Sequence, residues 1–147
     1  MKVLTENRKS TYNYEISETY EAGLVLYGFE VKAIKTGHVN LTGSFVTSKN
    51  EELFLTNALI PPYQPKNTPV DYDQSRPRKL LLKKREINTL IGKLKVKGLT
   101  LVPIRLYTKK GKIKLEFGVG RGKRKIDKRV TIKKRDLERE LGRKLKS

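Results

Sequence analysis

The residues with the plainest chemical consequence lie near the end of the chain. Arg121-Gly122-Lys123-Arg124-Lys125 carries four cations in five residues, and Asp127-Lys128-Arg129 follows at once. Cations at this density neutralise phosphates and release their counterions. The composition agrees: 34 Lys and Arg stand against 15 Asp and Glu in 147 residues, a net charge of +19. A compact domain repels itself at such an imbalance, and a polyanionic partner is the usual reason to keep it. A thermophile surface rich in Lys, Arg and Glu raises both signs together, so it does not account for an excess of this size.

Residue types suited to catalysis are sparse. His38 is the one histidine and there is no cysteine, so neither a disulfide nor a common zinc site is expected. His38 follows Gly37 and reads as a surface-loop residue. A metal-dependent nuclease needs clustered carboxylates. Glu15, Glu18 and Glu21 come nearest, but on a strand Glu15 and Glu21 face one way and Glu18 the other. Gly118-Val119-Gly120 lacks the strand-to-helix context of a nucleotide loop. It reads instead as a barrel bend or a close approach of backbone. The expectation is a binding protein that is no enzyme and has no cofactor or metal. Tyr12, Tyr14 and Tyr20 could stack bases, but they fit a core face better. Recognition of folded RNA by shape and phosphate follows.

The elements that hold these residues can be read from periodicity. Residues 1–11 look like a short polar arm, without the apolar core of a signal peptide. No run reaches the roughly 18 apolar residues of a membrane helix, and a cytoplasmic location is expected. Tyr12 to Leu26 alternates as a long strand, with Glu18 out of pattern and a bend expected there. A short helix lies between Gly28 and Gly37, the latter as its stop. Phe45–Ser48 and Leu53–Ile60 form a strand pair around Lys49-Asn50-Glu51-Glu52. A proline-rich loop covers 61–78. A helix is expected from Arg78 to Leu94, with Ile87, Leu90, Ile91 and Leu94 at helical spacing, Leu80 one heptad earlier and Pro77 in its first turn.

The clearest pattern is a hairpin. Val102, Ile104 and Leu106 alternate with Pro103, Arg105 and Tyr107 before the turn Thr108-Lys109-Lys110-Gly111. Ile113, Leu115, Phe117 and Val119 alternate after it, so one face is buried and one wet. The fold class expected is mainly β (α+β): an OB-like closed antiparallel β-barrel with flanking helices over residues 1–120, followed by a basic C-terminal tail over 121–147. That tail holds thirteen Lys or Arg and four acids, a net +9. From Ile132 to Lys146, Leu137, Leu141 and Leu145 repeat every four residues, and Glu140 precedes Lys144 by four. Arg135, Arg139 and Arg143 repeat likewise and repel one another. Such a helix is marginal alone and firms up against a polyanion.

Several short runs, in order, resemble one family. They are Asn7-Arg8-Lys9 leading to Tyr14, Tyr20-Glu21-Ala22-Gly23-Leu24, and Gly28-Phe29-Glu30-Val31-Lys32. Arg78-Lys79-Leu80-Leu81-Leu82 continues to Arg85-Glu86-Ile87, and Leu101-Val102-Pro103 precedes Tyr107. Gly122-Lys123, Asp127-Lys128-Arg129, Arg135 and Arg139 complete the set. Together they look like the SmpB family, the transfer-messenger RNA-binding proteins of bacterial ribosome rescue. The resemblance implies an OB-like barrel bound to the tRNA-like domain of transfer-messenger RNA, in the place of an anticodon arm. It also implies delivery with elongation factor Tu, and a tail that folds into a helix in the small-subunit decoding centre and mRNA channel of a stalled ribosome.

By the same resemblance, Asn7, Arg8, Lys9, Glu21, Lys32, Lys79, Leu81, Lys83, Gly122 and Lys123 are expected to meet transfer-messenger RNA. Asp127, Lys128, Arg129, Lys133, Lys134, Arg135, Arg139, Arg143 and Leu145 are expected to meet the ribosome. Glu21 is the informative one. A carboxylate does not bind phosphate; it accepts hydrogen bonds from base amino groups or 2′-hydroxyls. Where members carry Asn, Lys83 moves the expected contact from base to phosphate. The alternative reading is another basic OB-like ribosomal or ribosome-assembly protein using the same barrel.

Overall fold

The computed structural model describes residues 1–64, 66 and 68–123. Seven strands and three helices follow one another: β1 (Lys2–Glu6), α1 (Arg8–Asn13), β2 (Tyr14–Leu24), α2 (Gly28–Lys35), β3 (Phe45–Lys49), β4 (Glu52–Thr56), β5 (Arg78–Leu81), α3 (Lys84–Leu94), β6 (Leu99–Lys109) and β7 (Lys112–Gly122). All strand pairs are antiparallel. The order is β1-β6-β3-β4-β5-β2-β7, and β7 also pairs with β6. Six strands therefore form a closed circuit, with β1 added beside β6. The core holds Ala22, Val46, Leu53, Leu55, Leu80, Leu101, Leu106, Leu115, Phe117 and Val119 from the strands, Ala33 and Ile34 from α2 and Leu90 from α3.

The β6–β7 hairpin turns on Lys110 and Gly111, and the β3–β4 hairpin on Asn50 and Glu51, all four with φ between 52° and 77°. Two-residue turns of this hand match the right-handed twist of the strands they join. The predicted alternation on β6 changes sides partway. A bulge between Pro103 and Arg105 inserts one extra residue, and one residue of slip swaps the faces. Leu101 and Leu106 consequently join the core cluster, while Val102 and Ile104 are buried outside it. Tyr107 falls on the outward parity. A second bulge, between Ile16 and Glu18 of β2, lies where the expected bend was. It puts Glu15 and Glu18 on the parity of Val119 and Phe117 and Glu21 on the opposite one, correcting the sequence reading for Glu15.

Two segments differ from expectation. The N-terminal residues are not a polar arm: β1 pairs with residues 105–108 of β6. Asn7 then turns inward, its N–H donating to the Ile104 carbonyl at 2.7 Å and its Nδ2 to the Pro103 carbonyl at 3.0 Å. Those carbonyls belong to the bulge, which disrupts the local ladder, and Asn7 caps them before α1 begins. Residues 78–81 are likewise not helix but β5. Arg78 and Leu80 point inward with two-residue alternation, while Lys79 and Leu81 are more exposed, and α3 starts only at Lys84. Pro77 precedes the first strand residue, a position where its missing N–H costs the ladder nothing.

The glycine pair of β7 is explained by close approach. A Cβ on Gly118 would lie 2.5 Å from Ile16 Cγ2 and 2.8 Å from the Glu18 carbonyl oxygen. A Cβ on Gly120 would lie 3.1 Å from Ile16 Cδ1. The bulged part of β2 thus presses directly on β7. β7 continues through Gly122, which pairs with Tyr14, two residues past the boundary expected at 120.

Candidate nucleic-acid interface

Glu21 lies on the outward face of β2, its side chain 37% exposed. Tyr107 of β6 donates its hydroxyl to Glu21 Oε2, reaching across β7, which lies between the two strands. Lys109 Nζ stands 3.4 Å from both carboxylate oxygens. The Tyr107 hydrogen bond, against a smaller burial effect and with help from Lys109 and Lys114, holds the Glu21 carboxyl below its ordinary range. An ionised carboxylate is an acceptor with about four lone-pair positions; one oxygen is engaged by Tyr107 and the group still faces solvent.

Two residues along the same face, Gly23 pairs with Leu81 of β5 on one side and Lys114 of β7 on the other. Leu81 is 54% exposed. Gly23, Leu24, Leu26, Val31, Leu81 and the Gly111–Lys114 run line a groove of about 340 Å³. Glu21, an exposed leucine and the cations Lys109, Lys112 and Lys114 therefore share one region. The side chains of Leu81 and Lys114 close over Gly23, where a Cβ would lie 3.4 Å from Leu81 Cβ and 3.7 Å from Lys114 Nζ. Lys83 follows as the residue preceding α3, where a cation opposes the helix dipole, so helix stability does not explain it. Lys79 is spent partly on Glu52, at 2.8 Å. Lys32 is exposed in the last turn of α2.

The remaining predicted contacts within the described residues gather at the other end of β2. Gly122 pairs with Tyr14, the Lys123 N–H donates to the Asn13 carbonyl at 2.9 Å, and Lys123 Nζ to the Thr11 carbonyl at 2.8 Å. Arg8 and Lys9 are exposed on α1 beside them. From Tyr14 to Glu21 is roughly 23 Å along the strand, so the predicted set forms two groups. Asn7 stands apart from both: only 7% exposed, it holds the bulge carbonyls through its N–H and Nδ2, while its Oδ1 has no hydrogen-bond partner among the described residues. The tail residues Asp127, Lys128, Arg129, Lys133, Lys134, Arg135, Arg139, Arg143 and Leu145 lie outside the described residues, as does the helix expected over 132–146.

Of the three tyrosines read as core, only Tyr20 packs against the core cluster; Tyr12 and Tyr14 are half-buried outside it, Tyr14 on the other parity because of the β2 bulge. Tyr20 stacks on Phe117 at 5.9 Å and Tyr14 meets Phe45 edge-on at 6.2 Å. His38 is exposed, its Nδ1 3.0 Å from Thr36 Oγ1.

Beneath the surface lies a cluster the sequence did not reveal. Glu30 of α2 and Arg78 of β5 are both fully buried. Arg78 donates through Nε and Nη2 to Glu30 Oε2 at 2.9 and 2.6 Å and through Nη1 to the Ala58 carbonyl at 2.7 Å. Tyr72 Oη donates to Glu30 at 2.8 Å, Arg76 pairs with Glu30 Oε1, and the Tyr27 N–H donates to that oxygen at 2.8 Å. Burial pushes the Glu30 carboxyl up, yet the donors Arg76, Tyr27 N–H, Arg78 and Tyr72 together bring it below its ordinary value. Burial, then the Glu30 bond, pushes the Tyr72 phenol up to about 12. The network ties α2 and the 61–77 loop to β5, the strand that presents Leu81.

Comparison with known proteins agrees with this architecture. The sequence profile of the SmpB protein family matches residues 4–147. The SsrA-binding protein of Persephonella marina is 50% identical over 146 residues, 99% of this chain and 95% of that protein. That of Thermosynechococcus vestitus is 49% identical, over 99% of this chain and 96% of that protein. A chain from the solved structure described as tmRNA–SmpB at the centre of the bacterial ribosome matches with a TM-score of 0.68 and 47% identity, covering 82% of this chain and 85% of that one. A family match over nearly the whole length, joined to a shared fold, leaves one assignment: the chain belongs to the SmpB family.

Proposed function

We propose that this chain is a non-enzymatic adaptor that binds transfer-messenger RNA and acts with it on stalled ribosomes in trans-translation. The relatives are SsrA-binding proteins, and the matching solved chain belongs to a tmRNA–SmpB assembly in the ribosome. The observation that carries the reading is the outward face on which the Glu21 carboxylate adjoins the exposed Leu81 and the cations Lys109, Lys112 and Lys114. Phosphate attraction supplies affinity; an acceptor and an apolar contact at one place supply discrimination. The circuit of six strands supports an OB-like closed barrel as its frame. In this reading the barrel holds the tRNA-like domain, elongation factor Tu accompanies delivery, and the basic residues after 120 enter the decoding centre and mRNA channel.

Glu21→Ala tests the carboxylate's part. It removes a negative charge from a protein of net charge +19, which by charge alone tightens RNA binding. The expected result is the reverse, an affinity for the tRNA-like domain about tenfold lower, as for loss of a hydrogen bond to a charged group. Tighter binding in a filter or gel titration would mean that Glu21 only repels RNA.

A further inference from the structure

We infer that Tyr107 is a positioning residue for RNA recognition, fixing the Glu21 carboxylate so that its remaining acceptor positions meet an N–H or O–H donor on the RNA. The inference rests on the reading of Glu21 as an RNA contact and adds the residue that makes this contact specific.

A tyrosine on the wet parity of a hairpin strand would ordinarily face solvent. Tyr107 instead is only 3% exposed, while the group at the end of its hydroxyl bond, Glu21, is 37% exposed. A residue so covered offers RNA almost no surface of its own. Its route outward is the hydroxyl, and that hydroxyl donates to Glu21 Oε2. Burial first, then the bond to Glu21, pushes the phenol's pKa up, so it remains an O–H donor throughout the neutral range. On β1, Val3 is the register partner of Tyr107.

The consequence is conformational. An exposed glutamate samples several rotamers, and holding one costs side-chain entropy on binding. The Tyr107 bond removes part of that cost before RNA arrives. Lys109, 3.4 Å from both oxygens, supplies charge compensation without the directionality of the phenol. A carboxylate fixed through one oxygen presents the other, and a donor must come to it from a defined direction. That geometry favours a base amino group or ribose hydroxyl over phosphate, which has no donor to give.

The test is a double-mutant cycle with the full-length protein and the tRNA-like domain of transfer-messenger RNA as probe. Tyr107→Phe keeps the ring and removes one oxygen. It is expected to weaken binding about fivefold in the wild-type background and less than about twofold in the Glu21→Ala background, where no acceptor remains for the hydroxyl. Binding is also followed as a function of pH. The charged and titratable groups on the face of Glu21 are Arg105, Tyr107 and Lys109 on β6 and Lys114 and Glu116 on β7, Arg105 being paired with Glu116. Of these, Tyr107→Phe removes the donor that most lowers the Glu21 carboxyl, so the acid limb of binding should move to higher pH, towards the 4.5 of an ordinary glutamate. A loss of equal size in both backgrounds, with the acid limb unmoved, would show that Tyr107 only supports the fold. Unchanged affinity in Tyr107→Phe would overturn the inference outright. Failure of the wild-type protein itself to bind the probe would instead overturn the RNA-binding reading on which it rests.

Discussion

Arg78→Met is expected to lower the unfolding free energy by about 3–5 kcal/mol, the usual cost of removing one partner from a buried ion pair. Arg78 and Glu30 have no solvent-exposed side-chain surface, so water cannot replace the lost guanidinium. The Ala58 and Gln74 carbonyls lose donors as well. The effect depends on pH with a definite sign. The folded Glu30 carboxyl lies below its unfolded value of 4.5. Its contribution is therefore complete above that value and is lost as the pH falls through the lowered folded value. The gap between wild type and Arg78→Met should be widest near neutrality and shrink at acid pH. Urea titrations at pH 7 and at about pH 4 measure both quantities. A destabilisation under about 1 kcal/mol at pH 7 would mean that the network is not what fixes α2 to β5.

A chain ending at Lys125 is expected to bind the tRNA-like domain within about twofold of the full-length protein and yet to support no tagging of stalled nascent chains. The two groups of predicted contacts that the fold brings together, at Glu21 and Leu81 and at α1 and Lys123, all survive this truncation. What is removed is Ile126–Ser147, with eight cations in the 128–144 stretch alone and the leucines Leu137, Leu141 and Leu145. Counterion release predicts that a protein making nonspecific use of those cations loses affinity steeply when they go. A division of labour predicts that affinity stays and activity goes. A truncated protein that tags normally would remove the tail from the mechanism. One that loses RNA binding altogether would place the principal RNA contacts beyond Lys125.

The hairpins were legible because local rules govern them: alternation on both arms and a turn at Lys110-Gly111 or Asn50-Glu51. α2 and most of α3 were legible for the same reason. What escaped the sequence depends on partners distant along the chain. Residues 78–94 read as one helix because Leu80 lies a heptad before Ile87. The deciding fact is that Arg78 is buried against Glu30, 48 residues away, and no periodicity carries that. β1 was missed because Lys2–Glu6 is short and mostly polar, and its strand character comes from pairing with β6.

The bulges at Ser17 and Ile104 are the subtler loss. Each adds a residue and exchanges the faces, so a correct alternation gave a wrong side for Val102 and Ile104. Their traces were nonetheless present: Glu18 broke the pattern of β2, and Gly118 and Gly120 marked the approach opposite the bulge. Asn7 appeared as a polar residue in a basic run, the usual mark of a contact. Its burial against the Pro103 carbonyl is visible only in three dimensions. Tyr107 belongs to a sequence motif, but its bond to Glu21 spans 86 residues.

The most direct measurement is a gel-shift titration of transfer-messenger RNA with the full-length protein, at two salt concentrations, with ordinary tRNA as competitor. Specific recognition through Glu21, Leu81 and their neighbours predicts tight binding that survives both the higher salt and a large excess of tRNA. Equal binding to the two RNAs, collapsing together as salt rises, would contradict it and leave a basic RNA-binding protein without selectivity for transfer-messenger RNA.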